Sequence, residues 1–285
     1  MKTNTFAGIE PEYAEFDSAA VLLQNIPYDG TSTWGKGADK GWWAFLDAAE
    51  NMELYDIETQ SEVFEQGIHI LPRILEDESP EKMFEATYES AKKLIPTGKF
   101  LTFFGGEHSV SIGIIKALYE AHPDISILQI DAHADLRPAY MGTPYNHACA
   151  VYDASVHTNL VQVGIRSMDV GELEHMNTDK VFFAHTLPSN PEWMQQAIDL
   201  LGEKVYITFD LDAFDPSIMP STGTPEPGGL NWNDTTRFLK MVFEQRKVVG
   251  FDLVELAPID GLSAPNFLVA KLYYKMLSYQ FSSKK

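Results

Sequence analysis

Six stretches of this chain share one pattern: a short apolar or β-branched run that ends in acids, histidine or glycine. Ser18 to Ile26 leads into Pro27-Tyr28-Asp29-Gly30, Phe100 to Phe104 into Gly105-Gly106-Glu107-His108, and Ile125 to Ile130 into Asp131-Ala132-His133-Ala134-Asp135. Leu160 to Ile165 leads into Arg166-Ser167, Val205 to Phe209 into Asp210-Leu211-Asp212, and Val248 to Val254 contains Asp252 and ends at Glu255. Runs this short and this apolar fit strands buried on both faces.

Between them lie segments of helical period. Glu81 to Leu94 carries Met83, Phe84, Ala86, Ala91 and Leu94 in a 3.6-residue stripe. Val110 to Ala121, Glu192 to Leu201, Asp234 to Arg246 and Pro265 to Tyr279 are further helix candidates. Strands alternating with helices require parallel pairing through crossovers, so the expected fold is a three-layer α/β sandwich. The 285 residues carry no Pro/Ser/Gly-rich linker, charge block or repeat. A single domain over residues 1–285 is expected, with enough chain to bury about 75% of its unfolded surface. In such sheets ligands bind outside the carboxyl ends of the strands. The acid and histidine clusters fall at those ends.

The densest cluster is Asp131-Ala132-His133-Ala134-Asp135. In extended chain, residues i, i+2 and i+4 point to one side. Two carboxylates and an imidazole then converge, and without a cation they would repel or lie undersolvated. Asp210-Leu211-Asp212 repeats the spacing after another apolar run, and the Gly105-Gly106 exit allows His108 to face the same place. Together these supply four aspartates and two histidines, enough for two metals with shared carboxylates. Oxygen-rich ligands with one imidazole per ion and no thiolate suit Mn²⁺ and related divalent ions, and two such ions can act on one electrophilic carbon. Asp215-Pro216 is read as a turn.

The motifs GGEHS at Gly105–Ser109 and DAHAD at Asp131–Asp135, with TFDLDAFDPSIMPSTGTPEPGG from Thr208 to Gly229, resemble the ureohydrolase (arginase/agmatinase) family. The likeness runs from PYDGTS at Pro27–Ser32 to VELAP at Val254–Pro258. It implies a mainly parallel eight-stranded sheet and two Mn²⁺ ions. One ion would take His108, Asp131, Asp135 and Asp210; the other would take His133, Asp131, Asp210 and Asp212. The family's catalytic histidine falls on His147 and its guanidinium-binding glutamate on Glu255, with Thr224 on the substrate side. The implied chemistry is attack by a metal-bridging hydroxide on a guanidinium carbon. His147 passes a proton to the departing amine, and urea leaves.

Among guanidines, agmatine is the leading candidate, giving putrescine and urea. Glu107 stands where arginases typically carry Asp, and Leu136-Arg137 follows Asp135 as in the agmatinase branch. Asn146, Cys149 and Trp42 are departures from that branch's pattern. The alternatives are guanidinobutyrate, arginine or formiminoglutamate as substrate, a single-metal deacetylase, or an inactive scaffold. The resemblance also implies a trimer or hexamer.

The remaining features fit this picture. A formal charge of -20, from 41 acidic and 21 basic residues, argues against nucleic acid and is compatible with a cationic substrate. Met1 to Phe6 has no apolar leader core, and no run approaches the roughly 20 apolar residues of a membrane span. A cytoplasmic protein is expected, and the lone Cys149 excludes an internal disulfide. His122, His157, His175 and His185 read as surface or locally bonded, and His69 as a core histidine. The Trp42-Trp43 pair reads as packing or a subunit contact. Cys149, two residues past His147, is set aside as a nucleophile because no second base stands at a recognisable spacing.

Overall fold

The computed structural model describes residues 5–282; Met1–Asn4, read above for a leader, lie outside them. Eight strands form one sheet: β1 Val21–Ile26, β2 Ile68–Ile70, β3 Phe100–Gly105, β4 Ser126–Ile130, β5 Asn159–Val163, β6 Val181–Phe182, β7 Lys204–Asp210 and β8 Lys247–Val254. Their order is β2-β1-β3-β8-β7-β4-β5-β6, and each pairing is parallel. Seven α-helices are described: α1 Gly41–Ala49, α2 Pro80–Leu94, α3 Val110–Ala121, α4 Tyr152–His157, α5 Trp193–Asp199, α6 Trp232–Gln245 and α7 Ala264–Ser282. None is long and apolar enough to cross a membrane.

The three layers follow from the two-residue period of each strand. Val21 and Leu23 enter one core cluster with Phe45 of α1, Phe238 of α6 and Leu277 of α7. Leu22 faces the opposite cluster, with Met83 of α2 and Ile114 of α3. Phe100 and Phe104 join the first cluster while Leu101 and Phe103 join the second. The first contains an aromatic stack in which the Phe45 and Phe104 ring centroids are 4.4 Å apart.

Helix starts carry ordinary chemical signals. Ser79 caps α2 by accepting Lys82 N–H at 3.2 Å, Pro80 occupies its first turn, and Lys92 and Lys93 lie in its last. Asn231 caps α6 through Asp234 N–H at 2.9 Å. α2 and α3 approach closely at Gly113, where a Cβ would lie 2.3 Å from Thr87 Oγ1. Asp215, read as a turn residue, accepts Ser217, Gly228 and Gly229 N–H and so closes the loop over 216–229.

The four central strands β3, β8, β7 and β4 are the ones that end in the chemical motifs. β3 and β4 are successive in the chain, yet β8 and β7 lie between them. Phe209 of β7 pairs with Ile130 of β4 and Leu253 of β8, and Asp210 pairs with Val254. The four carboxyl ends therefore finish level, at the place where the strand order changes direction.

Several elements were not visible in the sequence pattern. β2 and β6 are three and two residues long, too short for a periodic signal, and α4 also escaped. His69, expected in the core, is instead half-buried on edge strand β2, its Nδ1 2.7 Å from Ala14 O. Only one neighbouring strand covers it, which leaves its outer side open.

Candidate metal centre and active site

His108 enters from the end of β3. Gly106 permits this, since a Cβ there would lie 1.8 Å from the Tyr28 carbonyl oxygen. Glu107 N–H donates to that same carbonyl at 2.8 Å. His108 is fully buried, and its Nδ1 lies 3.1 Å from Asp131 Oδ2, 3.1 Å from Asp135 Oδ2 and 3.4 Å from Asp210 Oδ2. None of the three meets hydrogen-bond geometry, and Nδ1 is left a buried atom with no partner. Nε2 is occupied by Thr208 Oγ1 at 2.9 Å, and that hydroxyl donates to Asp252 at 2.8 Å. A hydroxyl whose proton is committed can only accept, so Nε2 carries a hydrogen and Nδ1 is the nitrogen left to face the carboxylates, which raise this imidazole well above its ordinary range against its burial. With Nε2 held from behind by Thr208, loss of the Nδ1 proton would leave the tautomer of a metal-ligating histidine.

His133 lies on the other side of Asp131. Its Nδ1 is 2.9 Å from Asp212 Oδ2 and 3.7 Å from Asp131 Oδ1. His108, Asp131 and Asp135 form one group able to hold an ion, and Asp131, His133 and Asp212 another. Asp131 belongs to both. Asp210 reaches the first group through Oδ2, and its Oδ1 accepts Asp212 N–H at 2.8 Å. Gln129 Nε2 donates to Asp131 Oδ2 at 2.7 Å and His133 N–H to Oδ1 at 2.6 Å, which fixes the shared carboxylate on both edges.

The electrostatics without a cation are unfavourable for these acids. Burial, then the charge of Asp131, pushes Asp135 up to about 7, and burial with Asp212 and Asp131 holds Asp210 well above the carboxylate range. Burial opposes charge on His133, but Asp212 and Asp131 override it and raise the imidazole to about 11. Asp212, against its own burial, is held at about 2 by His133. Such a set, with an orphaned imidazole nitrogen at its centre, fits a pair of divalent cations.

Around this centre the backbone is strained. Asp135 and Glu255 adopt φ of 52° and 71°, a region that non-glycine residues rarely enter, and both lie at the site. Glu255 is locked: its N–H donates to Gly106 O at 2.8 Å and its Oε1 accepts His108 N–H at 2.9 Å. His147 is half-buried, and burial followed by the charges of His133 and His108 lowers it to about 4. Cys149 is buried and its thiol is pushed up to about 12, chiefly by burial, which removes it as a nucleophile.

A cavity of about 260 Å³ opens beside the centre, lined among others by Thr33, His133, Asp135, Tyr140, His147 and Thr224. Thr224 is exposed on its wall. Glu255 does not line this cavity; it follows directly on β8, and its carboxylate holds the His108 backbone N–H. The family model described as "Arginase family" matches residues 19–278.

The chain belongs to the arginase family.

As a ureohydrolase it is an enzyme acting on amidino C–N bonds. It is 37% identical to the N(1)-aminopropylagmatine ureohydrolase of Thermus thermophilus, over 92% of this chain and 90% of that protein. It is 32% identical to the enzyme of that name from Synechocystis, over 95% and 92%. The structure of the agmatine ureohydrolase of Thermoplasma volcanium superposes with a TM-score of 0.86 at 29% identity, covering 94% of this chain and 92% of that one.

Two contributions to this site left no mark in motif spacing. Arg166, at the end of β5, donates to the carbonyls of Gly164, Asp212, Ala213, Phe214 and Glu226. It thereby ties the Asp212 turn and the loop carrying Thr224 to the sheet. The Asp252–Thr208–His108 chain is the other; its members come from β8, β7 and the turn after β3, and the sheet order brings them together.

Proposed function

We propose that this ureohydrolase removes the guanidino group of agmatine as urea and leaves putrescine, using two Mn²⁺ ions. His108, Asp131, Asp135 and Asp210 would hold one ion, and His133, Asp131, Asp210 and Asp212 the other. The observation that carries the reading is the pair of imidazole Nδ1 atoms facing carboxylate oxygens from either side of Asp131. Two imidazoles, four carboxylates and no thiolate match a manganese pair better than a closed zinc site.

When bound, the cation pair supplies an activated water and concentrated positive charge for the developing tetrahedral centre. The chain's own residues do the rest. Glu255, buried at the end of β8, offers a carboxylate to the planar guanidinium, whose parallel N–H groups match it. His147, neutral at physiological pH, would take the proton from the attacking water's oxygen and return it to the departing amine nitrogen, a role worth roughly 10²–10⁴ in rate. The cavity beside them takes the alkyl tail along Thr224. The net charge of -20 favours approach of a cation. The active form is a cytoplasmic single-domain subunit in a trimer or hexamer.

A second reading is supported by the names of two relatives: the substrate is N(1)-aminopropylagmatine, the same guanidine with a longer cationic tail. A guanidine panel with Mn²⁺ added and urea measured tests both. Turnover of agmatine above arginine and guanidinobutyrate supports the first reading. A kcat/KM at least tenfold higher for the aminopropyl compound replaces it with the second, and preference for arginine removes both.

A further inference from the structure

His147 is gripped from behind by Thr31. The Thr31 hydroxyl lies 2.9 Å from Glu107 Oε1, 3.0 Å from His147 N and 3.1 Å from His147 Nδ1. A hydroxyl has one proton and two lone pairs. The His147 backbone N–H can only donate, and it takes one lone pair. The Glu107 carboxylate is an acceptor on every side: Oε1 also receives Thr31 N–H at 3.2 Å and Ser109 Oγ at 2.8 Å, and Oε2 receives Ser109 N–H at 2.8 Å. The hydroxyl proton therefore points at Glu107. Its second lone pair is left for His147 Nδ1, which must then carry a hydrogen.

We propose that Thr31, backed by Glu107, is a positioning residue that fixes His147 as the Nδ1–H tautomer and leaves Nε2 as its single basic atom. The inference rests on the reading of His147 as the proton-transfer group. One hydroxyl holds both the backbone and the ring of His147, so it sets the plane of the imidazole as well as its tautomer. The loops that meet here are joined already. β1 and β3 are neighbours, Glu107 N–H binds Tyr28 O, and Thr31 and Glu107 are both buried. An aspartate at position 107 would draw the carboxylate back by one methylene and open the contact with Thr31. The same device orients His108, where Thr208 stands between the imidazole and Asp252 with the opposite ring nitrogen engaged.

The test uses the full chain with [¹⁵N]histidine, loaded with diamagnetic Mg²⁺ for spectroscopy and Mn²⁺ for kinetics. Nitrogen shifts of His147, assigned by their loss in His147→Ala, are expected to show hydrogen on Nδ1 in the wild type. Thr31→Val should move them toward a mixture of tautomers and lower kcat about 10²-fold, the cost of a slightly misplaced catalytic group, with KM and bound metal unchanged. Thr31→Ser keeps the hydroxyl and should recover kcat to within a few-fold. Hydrogen on Nε2 in the wild type overturns the proposal without any variant, and so does a Thr31→Ser enzyme as slow as Thr31→Val. If His147→Ala turns over at the wild-type rate, the reading of His147 fails whatever its tautomer. If His147→Ala is slow while Thr31→Val keeps both tautomer and kcat, only the role of Thr31 fails.

Discussion

His108 Nδ1 and Asp131 Oδ2 lie 3.1 Å apart and make no hydrogen bond. Two further carboxylate oxygens crowd the same nitrogen, and its ring partner Nε2 is already committed to Thr208. A buried polar atom without a partner costs roughly 1–3 kcal/mol. A cation among these groups satisfies the nitrogen and the acids together.

Asp131 belongs to both metal groups, and Asp210 reaches the first while capping Asp212. Replacing either, Asp131→Ala or Asp210→Ala, should therefore abolish binding of the ion pair. Elemental analysis after dialysis is expected to find two ions in the wild type and no pair in either variant. Retention of two ions by Asp210→Ala would refute its bridging role.

His147 touches neither metal group. His147→Ala should keep both ions and lose about 10²–10⁴ in kcat. Metal content and turnover measured on the same sample separate the two effects.

Without metal, the carboxylates hold His133 at about 11 and burial lifts Asp135 to about 7. Both groups must shed protons to become ligands, so metal binding should release protons and affinity should rise with pH. Binding is expected to weaken as pH falls through about 7, where Asp135 becomes protonated. Titration calorimetry in buffers of differing ionisation enthalpy reads the proton count, and a heat independent of buffer would contradict it. The metal-free fold has the reverse dependence from His133. Its raised value contributes stability that is full below about 6.5 and is lost as pH rises toward about 11.

Thr208→Val keeps the shape of the side chain and removes the hydroxyl behind His108. Loss of such an orienting partner typically lowers metal affinity about 10–100-fold. Competition with a chelator should show that drop with an unchanged far-ultraviolet spectrum.

Phe45 is wholly buried among Phe6, Trp42, Phe104 and Tyr273, far in role from the chemistry. Phe45→Ala should cost about 3–5 kcal/mol in urea unfolding, while kcat per folded molecule stays near the wild-type value.

Much of the site was legible before any coordinates because its signals are local. DAHAD and the Asp210–Asp212 pair place groups on one side of a strand end through the backbone's two-residue period, and the flanking apolar runs mark those strands as buried. The short edge strands were not legible, since two or three residues carry no period. His69 was misplaced for the same reason: its burial depends on how many strands cover it, and the sequence does not state its position at the edge.

The amino-acid order alone determined the α/β class, the strand ends that carry chemistry and the oxygen-and-imidazole character of the candidate ligands. Each of these follows from side-chain alternation and residue type within a few positions. The tertiary structure decided which groups share an atom's neighbourhood: Asp131 between two histidines, Thr208 between His108 and Asp252, and Thr31 between Glu107 and His147. Those contacts join residues up to 116 positions apart. They depend on sheet order and register, which arise when the whole core packs.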